Sequence, residues 1–351
     1  MAKRIAIMGA GAVGSYVGAF LTREGNDVTL IDSWGQHVDA MKAGGLQVSG
    51  TQGEFTTTVK ALHLGEVQQV REPFDIVFLS VKSYDTEWAA HFARRFLALE
   101  GFMLSAQNGW NDPIVASAAG QERTVGLVMS GISVALWTPG RVERAGKALR
   151  RENGHDVFRV GELDGSQTAR AEDLARLLAS IDGARVTTNL PGERWAKLVQ
   201  NSMGNPVGAI TGLGAGPAMV DERARELTIR LARETCQIGL AQGLKVEQVQ
   251  GVAAETWAAA DRSDVFAGLD SHLAGRASDN TFKNSMAQDV TKGRPTEIDE
   301  LNGLVAARAR EMGLQAPVTD ATVSVMHQIE AGSLPVAQSN AALTLERAGF
   351  A

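Results

Sequence analysis

Along the first half of the chain, apolar residues fall into two alternating patterns. Short, compact apolar runs occur at residues 5–8, 28–31, 76–81 and 102–105, as in strands buried on both faces. Between them, residues 13–24, 36–43 and 86–99 carry apolar side chains at helical spacing. Strand–helix–strand alternation predicts a parallel, doubly wound sheet. Residues 44–62 break the pattern with period-two segments around Gly50-Thr51-Gln52-Gly53. They predict a small hairpin inserted in the wiring of the sheet. A second hairpin is predicted over residues 132–146, turning at Pro139-Gly140.

After an apparent strand at 184–188 the strand signals largely vanish. Residues 224–242 and 298–311 have apolar positions at helical spacing, with Gly243 and Gly313 as C-terminal stops. The spacing predicts an α/β domain over 1–190 and an all-helical domain over 191–351. Trp88, Trp195 and Trp257 lie in helical patterns and are expected in core or interface. Cys236 lies in an apolar helical pattern and is expected to be a small buried hydrophobe.

Composition narrows the class. A chain of 351 residues exceeds one ordinary core, which agrees with two domains. Its 34 basic and 40 acidic side chains give a net charge of −6, against a nucleic-acid or membrane-surface binder. One cysteine allows no internal disulfide, and the run after Lys3 and Arg4 is too short for a signal peptide. A soluble, cytoplasmic protein is expected.

Gly9-Ala10-Gly11-Ala12-Val13-Gly14 matches G-x-G-x-x-G between the first strand and the first helix. That context predicts a Rossmann-like dinucleotide-binding domain, with the pyrophosphate at the helix N-terminus. Asp32 ends the second strand. A carboxylate there accepts from ribose hydroxyls and repels a 2′-phosphate, which favours NAD(H), although Lys42 could swing back toward the site. Lys82, at the end of the next core strand, reaches a phosphate or ribose, or is simply solvated. Asn108 in Gln107-Asn108-Gly109 lines the crevice, or belongs to an Asn-Gly turn.

Lys197, Asn201 and Asn205 are spaced i, i+4, i+8, so one helix face presents all three. On a partly buried face these groups are costly unless satisfied, and a polar substrate or an interdomain contact would satisfy them. Ser285 and Asp289 form another i, i+4 pair, and Glu297 falls near a helix start.

Together, Gly9–Gly14, Gln107-Asn108-Gly109, Lys197-x3-Asn201-x3-Asn205-Pro206, Ser285-Met286-Ala287-Gln288-Asp289 and the block 293–303 resemble the ketopantoate reductase (2-dehydropantoate 2-reductase) family. The resemblance runs in family order from about residue 3 to 320. It implies a nucleotide-binding domain followed by a helical one. The implied reaction is reduction of 2-dehydropantoate to pantoate by NADPH, a step of pantothenate biosynthesis. It further implies that Lys197 is the general acid and that Asn201, Asn205 and Ser285 hold substrate hydroxyl and carboxylate. Asn108 would touch both ligands, Lys82 and Glu297 the cofactor, and the backbone near Ala135 the cofactor as well. Glu297 would also orient the lysine.

Three features depart from the family pattern. Asp32 stands where many members have a basic residue. The loop Gly212-Leu213-Gly214-Ala215-Gly216-Pro217 carries no asparagine, and the stretch 256–282 is longer than the family pattern, as a lid or a reshaped pocket would require. A dehydrogenase of another 2-oxo or hydroxy acid with the same machinery, and a non-catalytic dinucleotide sensor, therefore stay open. A homodimer through the helical domain is a further expectation.

Overall fold

The computed structural model describes residues 3–146 and 156–350. The chain divides into two compact units, Met1–Gln107 with Asn111–Leu190, and Asn108–Trp110 with Pro191–Ala351.

In chain order the first unit runs β1 (Arg4–Met8), α1 (Ala12–Arg23), β2 (Asp27–Asp32), α2 (Gly35–Gly44), β3 (Leu46–Gly50), β4 (Phe55–Thr57) and β5 (Lys60–His63). It continues with β6 (Phe74–Leu79), α3 (Thr86–Arg94), β7 (Leu97–Ser105), α4 (Asp112–Ala119), β8 (Thr124–Met129), β9 (Ser133–Thr138) and β10 (Arg141–Ala145). β11 (Phe158–Glu162), α5 (Ala169–Leu178) and β12 (Ala184–Val186) complete it. Eight strands form one sheet in the order β12-β11-β8-β7-β6-β1-β2-β5. From β5 to β8 all neighbours are parallel, and β11 joins β8 antiparallel. Ile5, Ala6, Ile7 and Met8 are all buried, as a central parallel strand requires. The strand order reverses at β1, so the crevice beyond its carboxyl end is a topological switch point.

The two predicted hairpins are present, and they share a second sheet of order β4-β3-β10-β9, joined by parallel pairing of β3 with β10. Gly50 has a φ of 108°, and a Cβ there would lie 1.9 Å from the Arg144 carbonyl oxygen. This close strand crossing therefore admits only glycine. Two expectations are corrected. The helix predicted to residue 99 ends at Arg94, because Leu97 pairs with Phe74 and begins β7. Residues 60–62, expected within the inserted hairpin, instead belong to β5 (Lys60–His63) on the edge of the main sheet beside β2.

A buried polar cluster ties the second sheet to its surroundings. Arg144 donates to Asp182 and to the Tyr16 hydroxyl, and Tyr16 donates to Gln52 at 2.8 Å. Both partners of the ion pair are essentially inaccessible, with side-chain exposures of 1% and 0%.

The second unit is helical. It comprises α6 (Leu190–Thr211), α7 (Glu222–Ala241), α8 (Ala254–Ala258), α9 (Ser263–Ala274) and α10 (Ser285–Thr291). A π-helical turn Asp299–Gly303 follows, then α11 (Leu304–Glu311), α12 (Pro317–Glu330) and α13 (Asn340–Arg347). Trp195 and Trp257 are fully buried in its core. The Trp195 indole donates to the Thr235 carbonyl at 2.9 Å and lies where a Cβ on Gly239 would project. Cys236 is buried here, and burial pushes its thiol up out of the reactive range. Trp88 is not in the core: it is half exposed on α3, stacked on Phe92. Among the described residues no helix is long and apolar enough to cross a membrane.

Removing one partner of a buried ion pair strands the other charge. Asp182→Ala is expected to destabilise the protein by about 3–5 kcal/mol, read as a lowered urea midpoint. A loss below about 1 kcal/mol, the range of an exposed pair, would contradict the burial of this charge.

Candidate active site

In the first unit the glycine loop follows β1. Gly9 adopts a φ of 94°, and a Cβ there would lie 2.6 Å from the Val81 amide nitrogen. A Cβ on Gly14 would lie 2.1 Å from the Gly9 carbonyl oxygen, while one on Gly11 would meet nothing within 4 Å. Two of the glycines are thus demanded by packing, and the third leaves open space above the backbone. Gly11 caps α1 without a side-chain bond, so the first-turn N–H groups of Ala12, Val13 and Gly14 lack intrahelical acceptors. Open space beside N–H donors at a helix N-terminus fits a phosphate group.

The same turn gathers the neighbouring strand ends. The Gly9 amide donates to the Ile31 carbonyl at 2.8 Å, which brings Asp32 beside the loop. Its contact with Ser80 and Val81 does the same for half-buried Lys82. The Asp32 carboxylate accepts the Trp34 amide at 2.7 Å, which fixes the carboxylate's orientation. Lys42, considered above as a cation that could swing toward the site, instead binds Glu66 at 2.6 Å. Ala135 is buried in β9, opposite Glu143.

A buried relay underlies the loop. The Gly140 amide donates to His37 Nδ1 at 2.9 Å, which leaves the ring proton on Nε2. Nε2 contacts Ser15 Oγ at 3.0 Å, and Ser15 Oγ donates to the Ala10 carbonyl at 2.7 Å. The turn of the second hairpin is thereby tied to the glycine loop. Burial pushes the His37 imidazole below the ordinary histidine range, against the opposing charge of Asp32.

In the second unit α6 carries Lys197, Asn201 and Asn205 on one face. Asn201 and Asn205 are buried and Lys197 is half-buried. Asn201 Nδ2 has no hydrogen-bond partner among the described residues, a costly state for a buried donor unless a ligand accepts from it. Ser285 is held beside this face. Its neighbour Asn284 accepts the Ala287 amide at 3.0 Å as the cap of α10 and donates to the Gly204 carbonyl of α6 at 3.2 Å. Gly208 makes room for that amide, because a Cβ there would lie 2.5 Å from Asn284 Nδ2.

Glu297 is buried immediately ahead of the π-helical turn. The bond from the Ile298 amide to Thr296 Oγ1, at 3.3 Å, and that from the Thr296 amide to Glu330, at 2.7 Å, set its backbone. Burial pushes the adjacent Glu300 carboxyl up. Asn108 is half-buried, and Gly109 after it has a φ of 86°, so the Asn-Gly turn is real. Trp110, two residues on, packs edge-on against Trp195. Asp270 of the long stretch 256–282 is ion-paired to Arg225 at 2.7 Å, which anchors α9 to α7.

Residues 5–151 match the family model described as ketopantoate reductase PanE/ApbA, and residues 189–330 match the model of its C-terminal part. The chain belongs to the ketopantoate reductase family. The 2-dehydropantoate 2-reductase of Pyrococcus horikoshii is 27% identical over 90% of this chain and 93% of its own length. The crystal structure of a PanE/ApbA family ketopantoate reductase from Ralstonia eutropha superimposes with a TM-score of 0.76 at 27% identity, covering 94% of this chain and 99% of that one. A ternary structure of D-mandelate dehydrogenase with NADH and anilino(oxo)acetate has the same fold, with a TM-score of 0.78 at 22% identity, over 94% of this chain and 98% of that one.

Three features of this ketopantoate reductase family member escape sequence reasoning. The His37–Ser15 relay joins residues 22 apart whose side chains carry no motif. Asn284 reads as an ordinary cap until its second bond to α6 is seen. Asn302 lies inside a recognised block, but its partner is 100 residues away.

The relay makes a pH prediction. His37 stays neutral in the fold while the unfolded chain takes up a proton below the ordinary pKa of about 6.5. Stability therefore falls as pH drops below that value and levels off once pH passes below the lowered folded value. In His37→Gln this acid-side slope should be smaller by up to about 1.4 kcal/mol per pH unit. Urea unfolding of both proteins across the histidine range measures it, and equal slopes would refute the assignment.

Proposed function

We propose that the chain reduces 2-dehydropantoate to pantoate with NADH as hydride donor and Lys197 as proton donor. The observation that carries this reading is the polar face of α6: Lys197 with Asn201 and Asn205, an orphaned buried amide donor at Asn201, and Ser285 held alongside through Asn284. When bound at the glycine loop, the reduced nicotinamide supplies hydride to the keto carbon.

The chain's own residues do the rest. The N–H groups opening α1 and the open space at Gly11 receive the pyrophosphate. The Asp32 carboxylate, with one oxygen engaged by Trp34, accepts from the ribose hydroxyls with the other. Charge then develops on the substrate's keto oxygen. The Lys197 ammonium stabilises that charge and donates a proton to the oxygen, completing the hydroxyl group. Asn201, Asn205 and Ser285 hold the substrate's hydroxyl and carboxylate, and Asn108 contacts substrate and cofactor. Glu297 orients the lysine, and with Lys82 it contacts the cofactor. The balance is one hydride to carbon and one proton to oxygen per turnover.

Asp32 and the engagement of Lys42 by Glu66 support NADH over NADPH, since neither offers a free cation to a 2′-phosphate. A second reading, the same reaction on another 2-oxo acid, is favoured by one observation. The 212–217 loop offers no polar side chain to a substrate.

A side-by-side assay of NADH and NADPH with 2-dehydropantoate tests the proposal. Oxidation of NADH on adding the keto acid is expected, with NADPH the poorer donor. Turnover with neither removes the substrate, and a strong NADPH preference removes the reading of Asp32. Lys197→Ala should lower kcat by ~10²–10⁴-fold while the cofactor Kd stays nearly unchanged. A loss under about threefold means that another group donates the proton.

A further inference from the structure

α6 contains a proline about three-quarters of the way along, at Pro206. Proline has no N–H, so the helical ladder cannot close on the carbonyl four residues earlier, and the ring presses against that same carbonyl. The affected oxygen is that of Ser202. It lies between Asn201 and Asn205, on the helix that presents Lys197. A buried carbonyl left in this state costs free energy and has no preferred position.

The structure fills the missing bond from elsewhere. The side-chain amide of Asn302 donates to the Ser202 carbonyl at 3.1 Å across 100 residues of sequence. Asn302 is fully buried and sits in the π-helical turn Asp299–Gly303, five residues after Glu297. π-helical turns are rare and cluster at functional sites, because the wider turn re-aims the side chains it carries. Asn302 Oδ1 and Ser202 Oγ are both buried without partners among the described residues. The amide is thus retained although only half of its hydrogen-bonding capacity is used, which packing alone would not favour.

We propose that Asn302 is a positioning residue. By replacing the N–H that Pro206 lacks, it satisfies the α6 carbonyl that the proline leaves without its intrahelical donor and so fixes the turn that carries Lys197, Asn201 and Asn205. It also couples that helix to the segment bearing Glu297. This rests on the reading of the α6 face as the substrate site, and wild-type turnover of 2-dehydropantoate checks that reading first.

The test uses the full chain, with Asn302→Ala and the double variant Pro206→Ala/Asn302→Ala. In Asn302→Ala, kcat/KM for the keto acid should fall by about 10–100-fold, the scale of a misplacement near 1 Å. KM should rise and kcat should fall, the cofactor Kd should not move, and the thermal midpoint should drop by about 2–4 °C. In the double variant the alanine that replaces Pro206 supplies a backbone N–H to the Ser202 carbonyl. The thermal midpoint should therefore return toward wild type, while turnover stays low because the tie between α6 and the segment bearing Glu297 is gone. Two results overturn the proposal. One is Asn302→Ala retaining kcat and KM within threefold despite a lowered midpoint. The other is a double variant that regains both stability and turnover, which would make the bond structural only. Absence of wild-type turnover would instead remove the functional reading on which the proposal stands.

Discussion

The first unit depends on one close approach. The β1–α1 connection passes so near the end of β6 that Gly9 cannot carry a side chain, and α1 begins so near the loop that Gly14 cannot either. Both contacts are between backbone atoms, so no rotamer change relieves them. The consequence is geometric. The carboxyl ends of β2, β1 and β6 converge, and Asp32, the glycine loop and Lys82 arrive together. The His37–Ser15 relay then fastens the loop to the turn of the second hairpin, so the N–H donors opening α1 are held by contacts on several sides.

The second unit solves a different problem. Its long helix α6 must bury apolar side chains such as Leu198, Val199 and Met203, yet present three polar side chains along one face. Burial of that polar face makes every unmet hydrogen bond expensive. The structure answers with amides from other segments: Asn284 bonds the Gly204 carbonyl and Asn302 bonds the Ser202 carbonyl. Both segments arrive with candidate site residues attached, Ser285 beside the first and Glu297 ahead of the second. Fastening the helix and assembling the site are thus one set of contacts.

These differences explain what is legible in the chain alone. The parallel sheet, the two hairpins and the helical second half are legible because apolar periodicity is a local signal. The glycine loop is legible because backbone crowding leaves glycine as its mark. The C-terminal limit of α3 is not, because Phe96 and Leu97 continue a helical pattern that only pairing with Phe74 overrides. β5 escapes for the same reason: its edge position is set by β2, not by its own four residues. Pro206 announces that the Ser202 carbonyl needs a donor, but no local rule names one 100 residues away.

The Gly212–Pro217 loop shows how an apparent deficiency can be a contact. As bare sequence, it lacks a side chain that could meet a substrate. In the fold, a Cβ on Gly214 would lie 2.5 Å from the Thr281 Cα, and one on Gly216 would lie 2.0 Å from the Ser278 carbonyl oxygen. The Gly216 amide donates to the Asn280 carbonyl at 2.8 Å. The glycines are there because another stretch of backbone lies directly on them. That stretch leads straight into Asn284 and Ser285. The loop therefore acts on the α6 face at one remove, by setting where the chain carrying Ser285 runs. Any difference in substrate shape between this chain and its relatives should arise in residues 278–283, whose side chains are mostly exposed, and not in the glycines beneath them.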